Sequence, residues 1–184
     1  LRRTERRHTD SSFRNLPCLC TMLYAVEVPE NGGETQFANM IAALEGLPSD
    51  LREVVNQNRL VHSYVFSRAN NPGRMDPMSP EEEAKYPPVT HPWVRTHADG
   101  RQSLYMGGHV SHVEGMDVNE GRELVELVLQ EATRPEFIYE HRWADNDLVI
   151  WDNRSTLHRL RPYDISNTRR VMRRITVAGT EPVI

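Results

Sequence analysis

A histidine and an aspartate stand two positions apart near the start of the chain, as His8 and Asp10 in the sequence HTD. In an extended segment, side chains two residues apart project to the same face, so this imidazole and carboxylate would point together. With a third ligand from elsewhere they would form a facial triad that leaves coordination positions open, as in non-haem Fe(II) sites. An HxD pair occurs often by chance, however. On this pair alone, a solvated His8 is the better interpretation.

A second polar group lies in residues 147–179, DLVIWDNRSTLHRLRPYDISNTRRVMRRITVAG. His158 follows a strand-like run and is the candidate third ligand. Arg170 and Arg174 have the same parity, so on one strand they would face the same side. Guanidinium groups bind carboxylates bidentately, and the pair could therefore hold a dicarboxylate cosubstrate and an anionic substrate beside the metal. The alternatives are a core histidine and two surface arginines paired with acidic residues.

Other histidines are weaker candidates. His109 and His112, in GGHVSHVEG, have the HxxH spacing of a zinc pair, but the two preceding glycines argue against a supporting helix. His109 is left open between a position facing a substrate pocket and a surface or supporting role. We interpret the remaining internal histidines as structural or exposed, namely His62, His91, His97 and His141. The sequence Trp-Asp-Asn at 151–153 is expected to pack and orient the chain before His158, as groups around metal ligands often do.

Composition is that of a globular protein, with 184 residues, 38% hydrophobic residues and a net charge of −4. This predicts a single domain over residues 1–184 with a hydrophobic core. The chain has no basic stripe with interleaved aromatic residues, which argues against nucleic-acid binding. It also lacks an apolar run of about 18 residues, which argues against a membrane helix. The basic start has no apolar stretch of a signal peptide, so we expect a cytoplasmic protein.

Two cysteines, Cys18 and Cys20, are too few for a structural zinc site with four ligands, and are predicted to be free thiols. HTD lies only eight residues from the start, ahead of any predicted element, which favours a chain truncated at its N-terminus. The sequence does not determine the oligomeric state, and a homo-oligomer is one possibility.

The elements that must position these residues are mostly strands. Residues 18–28 predict a buried strand, 29–33 a turn, and ETQFANM a further extended segment. AALEGLP and SDLREVVNQ predict short helices, the second capped by Ser49 or Asp50. Residues 67–89 predict a long loop with one helical turn at SPEEEAKY.

The second half begins with a predicted hairpin, THPWVRTH and SLYMGG around ADGRQ. Asp117 should begin the longest helix, in a capping pair with Glu120. Its apolar face would consist of Leu124, Val125, Leu127, Val128 and Leu129. Strands are then predicted in EFIYEHRW, DLVIWDN and RRVMRRITVAG, with STLHRL among them. The pattern predicts a mainly β fold with flanking helices, a β-sandwich or jelly roll.

Taken together, six stretches resemble the taurine/2,4-dichlorophenoxyacetate dioxygenase family, TauD/TfdA: HTDSSFR, VPENGGETQFANM, VRTHADGRQSLYM, PEFIYEHRW, WDNRSTLHR and RRVMRRITVAGTEP. Their order and spacing match across nearly the whole chain. The phenoxyalkanoate-degrading branch is the most similar, through HTDSSFR, WDNR-x-x-x-HR and VAGTEP. One departure is Arg6 and Arg7, where the family usually has an apolar or aromatic residue before HxD.

The resemblance implies a double-stranded β-helix, a cupin-like jelly roll, and a site that uses Fe(II), 2-oxoglutarate and dioxygen. His8, Asp10 and His158 match the iron ligands. Thr35 and Arg170 match residues that contact 2-oxoglutarate, and Arg174 matches the arginine that binds the acid group of the substrate. Ser11 stands where the family lines the substrate pocket.

The implied reaction is hydroxylation of a small anionic organic substrate, most similar to ether cleavage of a phenoxyalkanoate such as 2,4-dichlorophenoxyacetate. The first alternative is the same chemistry on a sulfonate, a sulfate ester or a heterocycle. An alternative of another class is an inactive fragment that acts as an interaction module.

Overall fold

The computed structural model describes residues 6–70 and 78–184. Its strands are β1 (Cys18–Glu27), β2 (Thr35–Asn39), β3 (Arg59–His62), β4 (Val89–Pro92), β5 (Val94–Thr96), β6 (Gln102–Leu104), β7 (Val110–Val113), β8 (Ile138–His141), β9 (Leu148–Asp152), β10 (Thr156–Leu160) and β11 (Val171–Ala178). Its helices are α1 (Met40–Glu45), α2 (Ser49–Gln57), α3 (Tyr64–Ala69), α4 (Pro80–Glu83) and α5 (Val118–Ala132). A short 3-10 helix, Pro135–Phe137, precedes β8.

The first sheet has the order β11-β1-β9, with β1 antiparallel to both neighbours. Leu23 pairs with Arg174 on one side and with Val149 on the other. Thr21 lies opposite Trp151 in the same sheet. Because strand side chains alternate between faces, Thr21, Leu23 and their partners lie on one face of this sheet.

The second sheet has the order β10-β2-β8, again antiparallel. Phe37 pairs with His158 in this sheet, and its ring lies 5.4 Å from that of Trp151 in the first sheet. The two sheets therefore pack face to face. The segment that contains the Asn-Gly pair connects them, because β1 and β2 belong to different sheets.

The main core lies on the other face of the second sheet. Ala38 and Leu157, which are register partners, are both fully buried there. They belong to a cluster with buried residues of α1, α2 and α5 and of the third sheet, β4-β3-β7. The two sheets and this helical layer give the mainly β architecture with flanking helices that the sequence predicts.

Several local predictions are confirmed. The hairpin forms from β5 and β6, with Val94 opposite Leu104. Asp117 caps α5 by accepting hydrogen bonds from the backbone N–H groups of Asn119 and Glu120. The helical turn at SPEEEAKY is α4, in which Ser79 forms a capping box. Cys18 and Cys20 are free thiols.

Three local predictions are wrong. The N-cap of α2 is Pro48, and Ser49 and Asp50 lie inside its first turn. Leu127 points away from the core with 46% of its surface exposed, since it falls off the stripe that contains Val128. The predicted loop at 67–89 begins inside α3, and its central part, 71–77, lies outside the described residues.

None of the helices within residues 6–70 and 78–184 combines the length and the apolar composition that a bilayer span requires.

Candidate metal centre

The segment that carries His8 and Asp10 precedes β1 and is fixed by backbone pairing. His8 N–H donates to the carbonyl of His158 at 3.0 Å, and His158 N–H donates to the carbonyl of His8 at 2.9 Å. The N–H of Gly108 also donates to Arg7 O at 2.8 Å. Gly107, with φ of 125°, packs so closely that a Cβ there would lie 3.1 Å from His8 Cα. The glycine pair before His109 thus makes room for the backbone of a candidate ligand.

The three candidate ligands converge. His8 Nε2 lies 3.8 Å from Asp10 Oδ1, and His158 Nε2 lies 3.9 Å from Asp10 Oδ2. One ligand atom from each residue lies within 4.8 Å of the other two, and the imidazole centroids are 4.3 Å apart. Bonds of about 2 Å place facial ligands roughly 3 Å from each other, so small rotations would close the group on an ion. Among the described residues, His8, Asp10 and His158 form the group of three or more histidine, cysteine, aspartate or glutamate side chains that could hold a metal.

The protonation states also fit a metal. Burial is the main cause that lowers the pKa of His8 and takes that of His158 well below the ordinary value, so both rings are neutral. His8 Nδ1–H donates to the carbonyl of Arg6 at 2.9 Å, which leaves the Nε2 lone pair directed at Asp10. Burial alone would raise the pKa of Asp10, but His158, Arg174 and a hydrogen bond from Thr21 together bring it below its usual value. The set offers two neutral nitrogens and one carboxylate.

A cavity of about 190 Å³ adjoins this group between the two sheets. The residues that line it are His8, Leu23, Thr35, Trp151, His158, Leu160, Arg170 and Arg174. Both arginines therefore face the same cavity as two of the three candidate ligands. The same-parity argument for Arg170 and Arg174 agrees with this placement, although Arg170 immediately precedes β11 and Arg174 lies within it.

Arg170 is held at one side of the cavity. Its Nε donates to the carbonyl of Gly33 at 3.2 Å, and its guanidinium lies 5.8 Å from the Trp143 ring centroid. The indole Nε1–H of Trp143 donates to Thr35 Oγ1 at 3.0 Å. Thr35, Trp143 and Arg170 thus form one connected group, of which Thr35 and Arg170 line the cavity. Trp143 was not singled out from the sequence, because nothing in EFIYEHRW separates a core tryptophan from one beside a ligand.

Ser11 and His109 are not among the residues that line the cavity. Ser11 has φ of 59° and its Oγ accepts from Cys18 Sγ at 3.0 Å, so its assignment to the substrate pocket stays a prediction. The next residue, Ser12, hydrogen-bonds to His109 at 3.1 Å. The ring of His109 lies 5.9 Å from that of His8, and burial followed by the nearby His8 lowers its pKa to about 3. His109 is therefore a neutral neighbour of the candidate centre.

Four further histidines occupy structural positions. His62 and His91 are buried with ring centroids 5.1 Å apart. His97 hydrogen-bonds to Ser103, and His141 pairs with Asp147. Trp151 packs on His158 with centroids 4.8 Å apart, as expected for the segment before that candidate ligand.

A family model for taurine catabolism dioxygenases, the TauD, TfdA family, matches residues 1–176. The chain belongs to the TauD/TfdA family. TauD/TfdA membership agrees with the resemblance drawn from the sequence stretches that contain the HxD pair, the distant histidine and the two arginines.

Two curated relatives show the range within the TauD/TfdA family. The chain is 48% identical over 170 residues to an alpha-ketoglutarate-dependent 2,4-dichlorophenoxyacetate dioxygenase of Cupriavidus pinatubonensis, covering 92% of this chain and 58% of that protein. It is 34% identical to an alpha-ketoglutarate-dependent sulfate ester dioxygenase of Pseudomonas putida, covering 96% of this chain and 60% of that one. The chain thus spans somewhat more than half the length of these curated relatives.

Solved structures support the TauD/TfdA fold. AAD-2 in complex with Mn(II) and N-oxalylglycine superposes with a TM-score of 0.90 at 42% identity, covering 97% of this chain and 70% of that one. A taurine dioxygenase from Burkholderia xenovorans gives a TM-score of 0.79 at 30% identity, covering 96% of this chain and 58% of that one. The predicted jelly roll is confirmed.

Proposed function

We propose that the protein is an Fe(II)- and 2-oxoglutarate-dependent dioxygenase that hydroxylates a small anionic organic substrate. The observation that carries this proposal is the convergence of the His8, Asp10 and His158 side chains beside a cavity that is lined by two arginines. Two neutral imidazoles and a carboxylate suit Fe(II) and leave coordination positions for other molecules. Identity of 48% to a 2,4-dichlorophenoxyacetate dioxygenase favours a phenoxyalkanoate as the substrate.

In this proposal, Fe(II) with 2-oxoglutarate and dioxygen as cosubstrates supplies the oxidant for an unactivated C–H bond, while 2-oxoglutarate is converted to succinate and carbon dioxide. Hydroxylation of a carbon that bears an ether oxygen gives a product that collapses to a phenol and an oxo acid. The protein must therefore hold the metal, orient two anions and exclude bulk water.

The cosubstrate would lie along the side of the cavity lined by Thr35 and Arg170, both of which Trp143 contacts. The Arg170 guanidinium is planar and suits the far carboxylate of 2-oxoglutarate. Its bond to Gly33 O and its position over the Trp143 ring fix its orientation before any ligand arrives. Thr35 Oγ1 accepts from Trp143, so its own proton is free to donate to the same carboxylate.

The substrate anion would bind Arg174, which lies opposite Leu23 in the first sheet. Leu23, Leu160 and Trp151 provide apolar walls suited to an aromatic or alkyl group and to a dry reaction space. Ser11 remains part of this proposal as a predicted substrate contact. We further propose a cytoplasmic enzyme without a nucleic-acid or membrane partner, and leave a homo-oligomer open.

A second candidate is the same reaction on a sulfate ester or a sulfonate. The observation that favours it is the 34% identity to a sulfate ester dioxygenase, together with an arginine that would accept either anion. An inactive interaction module is the candidate of another class. It predicts that the cavity binds neither metal nor 2-oxoglutarate.

The test is anaerobic addition of Fe(II) and then 2-oxoglutarate to the purified chain. The proposal predicts a metal-to-ligand charge-transfer band that needs both components. With oxygen, succinate release across phenoxyacids, sulfonates and sulfate esters would identify the substrate. Absence of the band would reject the dioxygenase proposal for this chain and favour the interaction module.

A further inference from the structure

A buried polar network contacts one oxygen of the Asp10 carboxylate. Thr21 Oγ1–H donates to Asp10 Oδ2 at 2.7 Å. The same Thr21 oxygen accepts from Asn153 Nδ2 at 2.9 Å. Thr21 has no exposed surface, and Asn153 has 2%. Thr21 therefore lies between a buried amide and the candidate metal ligand.

Asn153 also holds the backbone beside Asp10. Its Oδ1 accepts from Asp10 N–H at 3.3 Å and from Trp151 Nε1–H at 3.1 Å. Its carbonyl accepts from the hydroxyl of Thr9, and its N–H donates to Leu19 O at 3.0 Å. One asparagine thus bonds to the residue before the ligand, to the ligand itself and to β1.

The donors and acceptors in this network are satisfied by only one orientation of the Asn153 side-chain amide. Because the oxygen of the Asn153 amide receives two N–H groups, its nitrogen must face Thr21. Thr21 then receives that N–H, and its only proton is directed to Asp10 Oδ2. A reversed amide would place its NH₂ group against two other donors in a buried site, which is costly.

We propose that Thr21 and Asn153 are positioning residues that set the orientation of the Asp10 carboxylate for metal binding. The inference rests on the proposed function, since it assumes that Asp10 is a ligand. With Oδ2 held by Thr21 at 3.9 Å from His158 Nε2, Oδ1 is the oxygen presented towards His8 Nε2. Outer partners of this kind typically change metal affinity by about 10- to 100-fold when they are removed.

The test compares Thr21→Val with Thr21→Ser. Valine has nearly the same shape as threonine but no hydroxyl, whereas serine keeps the hydroxyl. The control is Thr133→Val, which removes a hydroxyl that donates to Leu129 O at the end of α5. Mn(II) binding is measured from the free-ion signal in electron paramagnetic resonance, and folding from the thermal midpoint without metal.

Thr21→Val is expected to raise the Mn(II) dissociation constant by about 10- to 100-fold, while Thr21→Ser and Thr133→Val stay close to the wild type. Wild-type affinity in a folded Thr21→Val would overturn the inference, as would equal loss in Thr133→Val. If Thr21→Val does not fold, Thr21→Ala carries the same expectation. A wild-type chain that fails to bind Mn(II) would instead reject the proposed function.

Discussion

The Nη2 atom of Arg174 lies 2.6 Å from Oδ1 of Asp10. The cation that we assign to the substrate therefore contacts the carboxylate that we assign to the metal. Its side chain is half exposed, at 51%, so it has room to move. A dication at the triad and the guanidinium would compete for one oxygen, because both need the same negative charge.

Replacement of Arg174 by glutamine is therefore expected to tighten Mn(II) binding, since it removes a like charge and a competitor from beside Asp10. The matched control is Arg173→Gln, which changes the adjacent residue on the opposite face of β11. It should leave Mn(II) affinity unchanged. Weaker Mn(II) binding by Arg174→Gln would mean that Arg174 supports the ligand rather than competes with it.

Replacing Arg170 and replacing Arg174 should change different kinetic parameters. Arg170→Ala is expected to raise the 2-oxoglutarate concentration needed for half-maximal succinate release, because a charge-assisted contact worth about 1.5–3 kcal/mol is lost. Arg174→Ala should mainly raise the KM for the organic substrate. Steady-state kinetics with each component varied in turn would measure both effects. Equal effects of both variants on both components would contradict the assigned roles.

Gly107→Ala should disrupt the metal centre without replacing a ligand. An added Cβ would press on His8 Cα at 3.1 Å and on Arg7 O at 3.2 Å. Gly100→Ala is the control, since Gly100 also has a positive φ, 82°, but nothing lies within 4 Å of its added Cβ. Both variants should lose stability from backbone strain, by roughly 1–2 kcal/mol for Gly100→Ala and by more for Gly107→Ala, as measured by thermal unfolding. Gly107→Ala alone should lose Mn(II) affinity. If both variants retained it, the close packing of Gly107 would not govern the position of His8.

His62 should make the fold sensitive to acid. Burial, followed by the nearby His91 and His109, takes its pKa well below the ordinary value, and neither ring nitrogen has a hydrogen-bond partner among the described residues. Tyr105 also packs on this ring. His62 is thus neutral when folded and gains a proton on unfolding below about pH 6.5. Its contribution lowers the free energy of unfolding by about 1.4 kcal/mol for each pH unit below that value.

His62→Leu should therefore gain stability over the wild type as the pH falls from 7.5 to 5.5, as measured by urea unfolding at each pH. His97→Leu, a change at a less buried histidine, should alter the pH dependence less. An unchanged pH dependence in His62→Leu would show that His62 is not the group that takes up the proton.

Even spacing in extended backbone, together with the family resemblance, explains why much of the site was predictable. His8 and Asp10, and likewise Arg170 and Arg174, are separated by even spacings, and both pairs reach the same region of the molecule. Alternation ends at Ser11, whose φ of 59° turns the chain and directs its hydroxyl to Cys18. A sequence does not show such a turn when no glycine marks it.

Residues that support the site were harder to predict. Thr21 stands in an apolar strand where threonine is ordinary, and only the folded chain brings it beside Asp10 and Asn153. Trp143 resembles any core tryptophan until its contact with Thr35 is seen. Both depend on contacts between distant segments, which local patterns do not encode.

The backbone pair between His8 and His158 joins two points roughly 150 residues apart in the chain. Closing so long a loop has an entropic cost, and folding must overcome that cost before the three candidate ligands come together. Metal affinity therefore depends on completed folding, because the ion binds a site that the unfolded chain does not offer. A substitution that loosens the pairing of β2 with β10 would weaken metal binding from a distance. Conversely, a bound ion would stabilise the contact between the segment before β1 and strand β10.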